Sequence, residues 1–277
     1  MKWPIAGLML LLALPALPAL AAERVISIGG DVTQIVYALG AQQTLVARDS
    51  TSQHPALAKR LPDIGYMRQL NAEGILALKP TLVLSSELAK PSLALQQVAQ
   101  AGVKVVEVTG ENSLQAIPKK IATIGKALHR DEEAQALAEQ VNRTLAALPK
   151  RPLPVKVLFI LSHSGMKSLA AGSDTAADGA IRSAGLINAM GAVPHYQPLS
   201  QEGVIAAAPD LVAIGEDGLK TLGDEEKVWQ LPGLALTPAG QHKNLLVIDE
   251  MALLGFGLDT PGAIVKLRKA AEAARHE

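Results

Sequence analysis

The sequence contains no cysteine among its 277 residues. Disulfide bonds and thiolate metal sites are therefore excluded, and so is a lipid anchor on an N-terminal cysteine of the mature chain. Lys plus Arg and Asp plus Glu number 26 each, so the formal net charge is zero. This balance argues against a nucleic-acid-binding protein, which normally carries a basic excess. Aromatic residues make up only 3% of the chain, so an aromatic side chain in a predicted loop is a candidate for function.

The N-terminus has the pattern of a secretory signal. Lys2 supplies a basic start, residues 5–14 form an apolar run, and residues 19–21 fit the small-x-small cleavage pattern. The run is short for a bilayer span of roughly 20 apolar residues, and prolines interrupt it. We therefore predict a signal peptide over residues 1–21 and not a membrane anchor. Because no cysteine is present to carry a lipid, we expect the mature protein in a Gram-negative periplasm.

Short apolar segments alternate with helical patterns along the mature chain. The strands are predicted at residues 24–28, 44–47, 82–84, 103–108, 155–161, 211–214 and 245–248. The helices are predicted at residues 32–39, 72–78, 92–101, 176–190, 202–207 and 261–274. Strands that alternate with helices favour parallel sheets, so the sequence predicts an α/β fold in both halves.

An internal repeat indicates that the two halves are equivalent. Residues 71–83 and residues 200–212 each read as a short helix, a proline that ends it, and a strand. Glu73 and Glu202 occupy the same place in the two copies. The repeat therefore predicts two lobes of similar construction.

A different segment lies between the halves. Residues 131–148 place apolar side chains on one helical face, and Glu132 and Glu133 near the start suit the positive end of a helix dipole. We predict two Rossmann-like lobes joined by a single long helix. We expect the N-terminal lobe to span residues 22–128, the connecting helix residues 129–150 and the C-terminal lobe residues 151–277.

Two joined lobes leave a cleft, and ligands of open α/β sheets bind at the carboxyl ends of the strands. The loops that follow the predicted strands are therefore the places to look for function. They are residues 29–31, 48–54, 85–90, 162–173, 215–218 and 249–257.

Two side chains suited to iron occur near these loops, one in each half. Tyr66 lies among Gly and polar residues, and tyrosine is an axial ligand of haem iron. Arg68 favours the phenolate form of a neighbouring tyrosine through its charge. His163 follows the strand over residues 155–161, and imidazole also ligates haem. Taken singly, a loop tyrosine is often a packing residue and a loop histidine is often solvated. Together they predict a metalloporphyrin bound between the lobes.

Other residues are candidates for contacts with the porphyrin. Arg48, Lys90 and Lys167 carry charges that pair with haem propionates. Met166 lies in the same loop as His163, and Met251 is suited to an apolar face of the ring. Solvated charge and core filling are the alternative interpretations for all five.

The sequence resembles the haem-binding periplasmic proteins of bacterial haem ABC importers, which belong to the cobalamin- and siderophore-type periplasmic binding proteins. The similarity runs through the mature chain and includes residues 24–30, 65–68, 77–80 and 254–257. The resemblance implies that Tyr66 ligates the haem iron and that Arg68 lies beside it. In a subtype that accommodates two stacked haems, a histidine in the place of His163 is also a ligand. Whether this chain binds one haem or two stays open.

The same resemblance implies partners beyond haem. In the wider class, one surface acid on each lobe docks onto arginines of the membrane permease, and Glu73 and Glu202 match that pattern. Each glutamate alone is also an ordinary helix-start residue. The implied partners are the inner-membrane ABC permease with its ATPase, and an outer-membrane haem receptor as the source.

Haem delivery has three alternatives: another cargo, a metal ion as the ligand, and catalysis. A ferric siderophore or a corrinoid is the alternative cargo for the same fold. A metal-ion binder needs His and carboxylate side chains that converge on one ion, and the six histidines are scattered along the sequence. An enzyme is disfavoured because the sequence has neither a Gly-x-Ser-x-Gly elbow nor a phosphate-binding Gly loop. The sequence therefore predicts binding and delivery without catalysis.

Overall fold

The computed structural model describes residues 23–163, 165 and 167–275. The predicted signal peptide, residues 1–21, lies outside the described residues, and so does Met166. The described chain forms two α/β lobes, each built around its own sheet, which confirms the predicted fold. No helix in this part of the chain combines the length and the apolar character needed to cross a bilayer.

The first lobe contains a sheet of four parallel strands. The strands are β1 (Val25–Ile28), β2 (Leu45–Arg48), β3 (Leu82–Ser86) and β4 (Lys104–Val108), and the helices are α1 (Gly30–Ala38), α2 (Ala72–Ala77) and α3 (Leu93–Gln100). The spatial order is β2-β1-β3-β4. Strands β1 and β3 are buried along their whole length, which explains why unbroken apolar runs predicted them.

Two helices follow β4 and lead to the second lobe. Helix α4 spans Ala116–Ala127 and helix α5 spans Asp131–Ala146. Helix α5 matches the predicted long helix and ends before Pro149, whereas sequence patterns did not predict α4. Pro118 is the third residue of α4, where backbone N–H groups have no intrahelical partner, so the proline removes no hydrogen bond. Gly125 of α4 lies so close to Ala134 of α5 that no side chain fits between the helices.

The second lobe contains a mixed sheet of six strands. The strands are β5 (Lys156–Leu161), β6 (Leu169–Ala171), β7 (Ile187–Asn188), β8 (Tyr196–Pro198), β9 (Leu211–Gly215) and β10 (Leu245–Ile248). The order is β10-β9-β5-β6-β8, with β7 also paired to β5. Strands β6 and β8 are antiparallel to their neighbours, so the expectation of a parallel sheet is wrong at this edge. The reason is length: only residues 162–168 separate β5 from β6, and a parallel crossover needs a dozen or more.

Seven α-helices accompany the second sheet among the described residues. They are α6 (Ala176–Ser183), α7 (Gln201–Ala207), α8 (Glu216–Leu222), α9 (Glu225–Trp229), α10 (Pro238–His242), α11 (Glu250–Leu254) and α12 (Thr260–Ala274). Helix α6 is shorter than the predicted helix over residues 176–190. It ends at Ser183 because Gly185 follows with a positive φ of 71°, the left-handed conformation that terminates helices.

One buried lysine contacts both lobes. The Nζ atom of Lys120, on α4, lies 2.6 Å from Oδ2 of Asp31 in the first lobe. The same ammonium donates hydrogen bonds to the carbonyl oxygens of Gly255 (3.1 Å) and Phe256 (3.0 Å) in the second lobe. Because the ammonium has three N–H donors, these three partners satisfy it completely. The side chain therefore joins the lobes at the base of the cleft, while the lobe boundaries at residues 128 and 150 stay a prediction.

Candidate functional site

An open cleft region of about 1190 Å³ lies between the lobes. Tyr66 of the first lobe and His163 of the second both line it, together with Met251 at the start of α11. The two iron-competent side chains thus face a shared space, as the sequence predicted from their places in cleft-side loops. A neighbouring region of about 1100 Å³ is also lined by Tyr66 and Met251. These two residues therefore lie where the regions meet.

Backbone hydrogen bonds define the loop that presents Tyr66. The Ser50 N–H donates to the Gly65 carbonyl at 2.9 Å, and the Gln69 N–H donates to the Tyr66 carbonyl at 2.8 Å. Gly65 has a φ of 95°, a conformation that glycine adopts without the strain a side chain would cause. Tyr66 is 46% exposed and lines the cleft, where a ligand can reach it.

Arg48 has a structural role that sequence reasoning missed. It is buried and lies 2.6 Å from Asp63, measured from Nη1 to Oδ2. Partial burial alone raises the pKa of Asp63, but hydrogen bonds from Gly65 and Ser50 and the charge of Arg48 outweigh it and lower the pKa. Arg48 therefore anchors the Tyr66 loop, and it is not placed to meet a haem propionate as expected.

The other predicted cations occupy different surroundings. Arg68 is exposed, lines the region of about 1100 Å³ with Tyr66, and donates from Nε to the Leu88 carbonyl at 3.2 Å. Lys90 pairs with Glu107 at 2.6 Å in a groove on the first lobe, so it does not reach the cleft as expected. Lys167 is exposed, and it is not among the described residues that line the two cleft regions.

His163 lies beside a mostly buried acid. Its Nε2 atom is 3.6 Å from Oε1 of Glu250, and its side chain is 46% exposed. Burial raises the pKa of Glu250, the positive field of His163 opposes that effect, and the charges of Asp217 and Asp249 add to it. Glu250 opens α11 directly after β10, at the carboxyl edge of the sheet. Sequence reasoning identified this loop as cleft-forming but did not select Glu250.

A second tyrosine, Tyr196 on β8, also lines the cleft. Burial, and next the charge of Glu250, raise the pKa of Tyr196 to about 12. Its phenol therefore stays protonated at neutral pH. Tyr196 was not predicted because β8 is only three residues long and has no apolar pattern.

Near His163, charged side chains of the two lobes lie close to one another. Nε2 of His54, in the first lobe, lies 3.1 Å from Oδ2 of Asp249 in the second. The charge of Lys59 acts on Asp217, which pairs with Lys220 at 2.9 Å. A cation from each lobe, Lys59 and Lys220, thus lines the same region, and neither was predicted.

The two repeat glutamates have matching positions on the surface. Glu73 on α2 and Glu202 on α7 are both exposed residues of a first helical turn. Asn71 caps α2 by accepting from the Gly74 N–H at 2.9 Å, and Ser200 caps α7 by accepting from the Gly203 N–H at 3.2 Å. The repeat therefore extends from sequence to local structure.

Comparison with known proteins identifies relatives that span most of the chain. The family profile described as Periplasmic binding protein matches residues 25–252. A curated relative, the vitamin B12-binding protein of Yersinia pseudotuberculosis, is 28% identical over 248 residues, which cover 84% of this chain and 83% of the relative.

Solved structures of similar fold come from haem-binding proteins. The periplasmic haem-binding protein RhuT from Roseiflexus sp. RS-1, in apo form, has a TM-score of 0.87 and 38% identity, covering 92% of this chain and 99% of that chain. The periplasmic haem-binding protein BhuT in complex with two haems has a TM-score of 0.85 and 39% identity, with the same coverage. The periplasmic haem-binding protein HutB of Vibrio cholerae has a TM-score of 0.80 and 39% identity, covering 90% and 98%.

Proposed function

Because this chain belongs to the periplasmic binding protein family, we propose that it captures haem between its lobes and delivers it to an inner-membrane ABC permease. The observation that carries the proposal is that Tyr66 and His163, from opposite lobes, line one open region. Both side chains are ligands that haem iron accepts. The haem-binding relatives of similar structure support the same cargo.

Tyr66 is the proposed ligand of ferric iron. Tyr66 is exposed, and Arg68 from the same loop lines a cleft region with it. Tyr196 suits this role less well, because its burial raises the pKa of the phenol to about 12 and makes the loss of its proton more costly. Met251 lies between the two regions and offers a soft apolar contact for a porphyrin face.

His163 is the proposed ligand of a second haem. It lines the region of about 1190 Å³, while Arg68 lines the neighbouring region of about 1100 Å³, and Tyr66 lines both. The structure of BhuT with two haems supports a cleft of this kind that holds a pair. Met166 and Lys167, from the His163 loop, are proposed as further contacts to the haem.

Delivery requires a docking surface and a compartment. Exposed Glu73 and Glu202, one per lobe, are proposed to pair with cationic side chains of the permease, whose ATPase drives import. Charge pairs at the rim of an interface set orientation more than affinity. The export pattern of residues 1–21 and the periplasmic relatives support a periplasmic location, with an outer-membrane haem receptor as the source.

A haemin titration of the mature protein, read by absorbance, tests the cargo. We expect a Soret band with the charge-transfer features of ferric, tyrosine-ligated haem, and the titration endpoint gives the number of haems bound. Cyanocobalamin and a ferric siderophore, titrated in parallel, test the alternative that the vitamin B12-binding relative raises. Tight binding of either, with no spectral change at micromolar haemin, would reject haem as the cargo.

A further inference from the structure

We propose that Glu250 is the positioning residue of His163, holding the imidazole ready to ligate the iron of a haem bound on the second lobe. The inference rests on the proposed function and adds a residue to it. Glu250 Oε1 lies 3.6 Å from His163 Nε2, and the carboxylate is mostly enclosed by protein while the imidazole reaches into the cleft. Both residues line the same cleft region, and the acid is the more buried of the two.

Glu250 packs against the end of a neighbouring strand. A Cβ atom at Gly215, the last residue of β9, would lie 2.5 Å from Oε2 of Glu250 and 3.0 Å from its Cβ. Real side chains do not tolerate such distances, so the glycine is what allows the carboxylate to pack there. The close approach of Glu250 to strand β9 therefore requires glycine at position 215.

The other acids near His163 already have partners. Asp249 accepts from the Ala252 N–H at 3.0 Å through Oδ1, and its Oδ2 lies 3.1 Å from His54. Asp217 pairs with Lys220 at 2.9 Å. Glu250 differs, because its Oε2 atom is buried with no hydrogen-bond partner among the described residues. Of the three acids, only Glu250 lies within ion-pair distance of His163.

A carboxylate that pairs with a ligating histidine has three physical effects. A neutral imidazole has one N–H and one lone pair, so a carboxylate that accepts the N–H fixes the tautomer and leaves the other nitrogen for iron. The acceptor also raises the basicity of the ligand. In addition, ferric haem keeps a positive charge on its core when the axial ligand is neutral imidazole. The negative carboxylate balances that charge, a task that the phenolate performs on the Tyr66 side.

A double-mutant cycle in the full mature chain tests this role. Haemin is titrated into the wild type, Glu250→Gln, His163→Ala and the double variant, and the visible spectrum distinguishes histidine-ligated from tyrosine-ligated iron. We expect Glu250→Gln to weaken the His163-dependent phase by about 10–100-fold, the range typical of partners behind a metal ligand, and to leave the tyrosine signature unchanged. In the His163→Ala background the same change should add nothing.

Two further variants keep the test specific. Glu225→Gln makes the same chemical change on an exposed helix of the same lobe, so it should leave both phases unchanged. Gly215→Ala should reproduce the loss in Glu250→Gln, because it displaces the carboxylate. An equal effect of Glu250→Gln with and without His163 overturns the inference, and so does an unchanged His163 phase. Failure of the wild type to bind haemin rejects the proposed function as well, so the two failures are distinguishable.

Discussion

Arg48 and Asp63 form a 2.6 Å ion pair that connects the end of strand β2 to the loop carrying Tyr66. The arginine is buried and the carboxylate is 41% exposed. Asp63 also accepts from the Gly65 N–H at 2.8 Å, directly before the tyrosine. The position of the proposed iron ligand therefore depends on a charge pair that does not itself touch the cleft.

Breaking this pair should weaken haem binding without changing the ligand. We expect Asp63→Asn to lower the free energy of unfolding by about 1 kcal/mol, since the carboxylate is partly solvated, and to raise the Kd for haemin. The Soret position should stay the same because Tyr66 is retained. Urea unfolding and haemin titration measure the two effects. Lys90→Met, which breaks an exposed pair of the same 2.6 Å length, is the control and should change neither.

The pH dependence of that stabilisation has a definite sign. The pKa of Asp63 is lowered in the folded protein, so the unfolded chain binds the proton more readily. The stabilisation is therefore complete above the ordinary pKa of about 3.9 and is lost as the pH falls through the lowered value. The difference in unfolding free energy between wild type and Asp63→Asn should be constant from about pH 6 to pH 5 and shrink steadily in stronger acid. A difference that grows on acidification contradicts this assignment.

The two cleft tyrosines should respond differently to the same substitution. Tyr66→Phe removes the proposed ligand, so we expect a loss of the charge-transfer band and a Kd raised by more than about 100-fold, beyond the usual effect of changing a residue behind a ligand. Tyr196→Phe should leave the band in place, because Tyr66 is retained and the buried Tyr196, with its pKa raised to about 12, loses its proton at greater cost. Absorbance spectra of the haemin complexes of the two variants show which tyrosine the band requires. Loss of the band in Tyr196→Phe alone would reverse the assignment.

Lys120 should be important for the stability of both lobes together. Lys120→Met leaves Asp31 buried without its partner and leaves the Gly255 and Phe256 carbonyls without their donor. Removing one member of a buried pair costs about 3–5 kcal/mol, and we expect a loss of that size in urea unfolding. Lys119→Met is the matched control, since Lys119 pairs with a partner at the surface. A loss no larger than in that control would show that the pair does not hold the lobes.

Reversing the charges of the repeat glutamates should separate binding from delivery. We expect the double change Glu73→Lys and Glu202→Lys to leave the haemin titration unaltered and to block haem uptake by cells or by vesicles that contain the transporter. The double change Glu139→Lys and Glu225→Lys reverses two other exposed acids and should leave uptake intact. Normal uptake by the first variant rules out docking through these acids.

Local sequence patterns predicted the helices and strands whose ends are marked by prolines or by apolar runs. Strand β10 was predicted at the residues it occupies, and α2 and α7 were predicted within one residue, because a proline after each helix stops it. Helix α4 was missed, since Pro118 resembles a helix breaker when its place in the first turn is unknown. Strand β6 was missed because three residues are too few to show a period.

The site residues likewise include some that the sequence predicted and others, Glu250 among them, that it did not. Tyr66, Arg68, His163 and Met251 were selected because each combines a suitable side chain with a loop near a predicted strand end. They line two neighbouring cleft regions between the lobes, Arg68 one and His163 the other, while Tyr66 and Met251 line both. Glu250 was not selected, because an acid after a strand has no feature that distinguishes it from a solvated one.

The amino-acid sequence by itself determined the two-lobed α/β organisation, the repeat, and the residue types able to hold ferric iron. These follow from periodicity, proline positions and side-chain chemistry, which act over a few neighbouring residues. Only the tertiary structure decided which charges are buried and which face the cleft. Arg48 meets Asp63, Lys120 meets Asp31, and Glu250 meets His163, although at least 15 residues separate the members of each pair. Such pairings depend on tertiary packing within and between the lobes, and no local pattern encodes them.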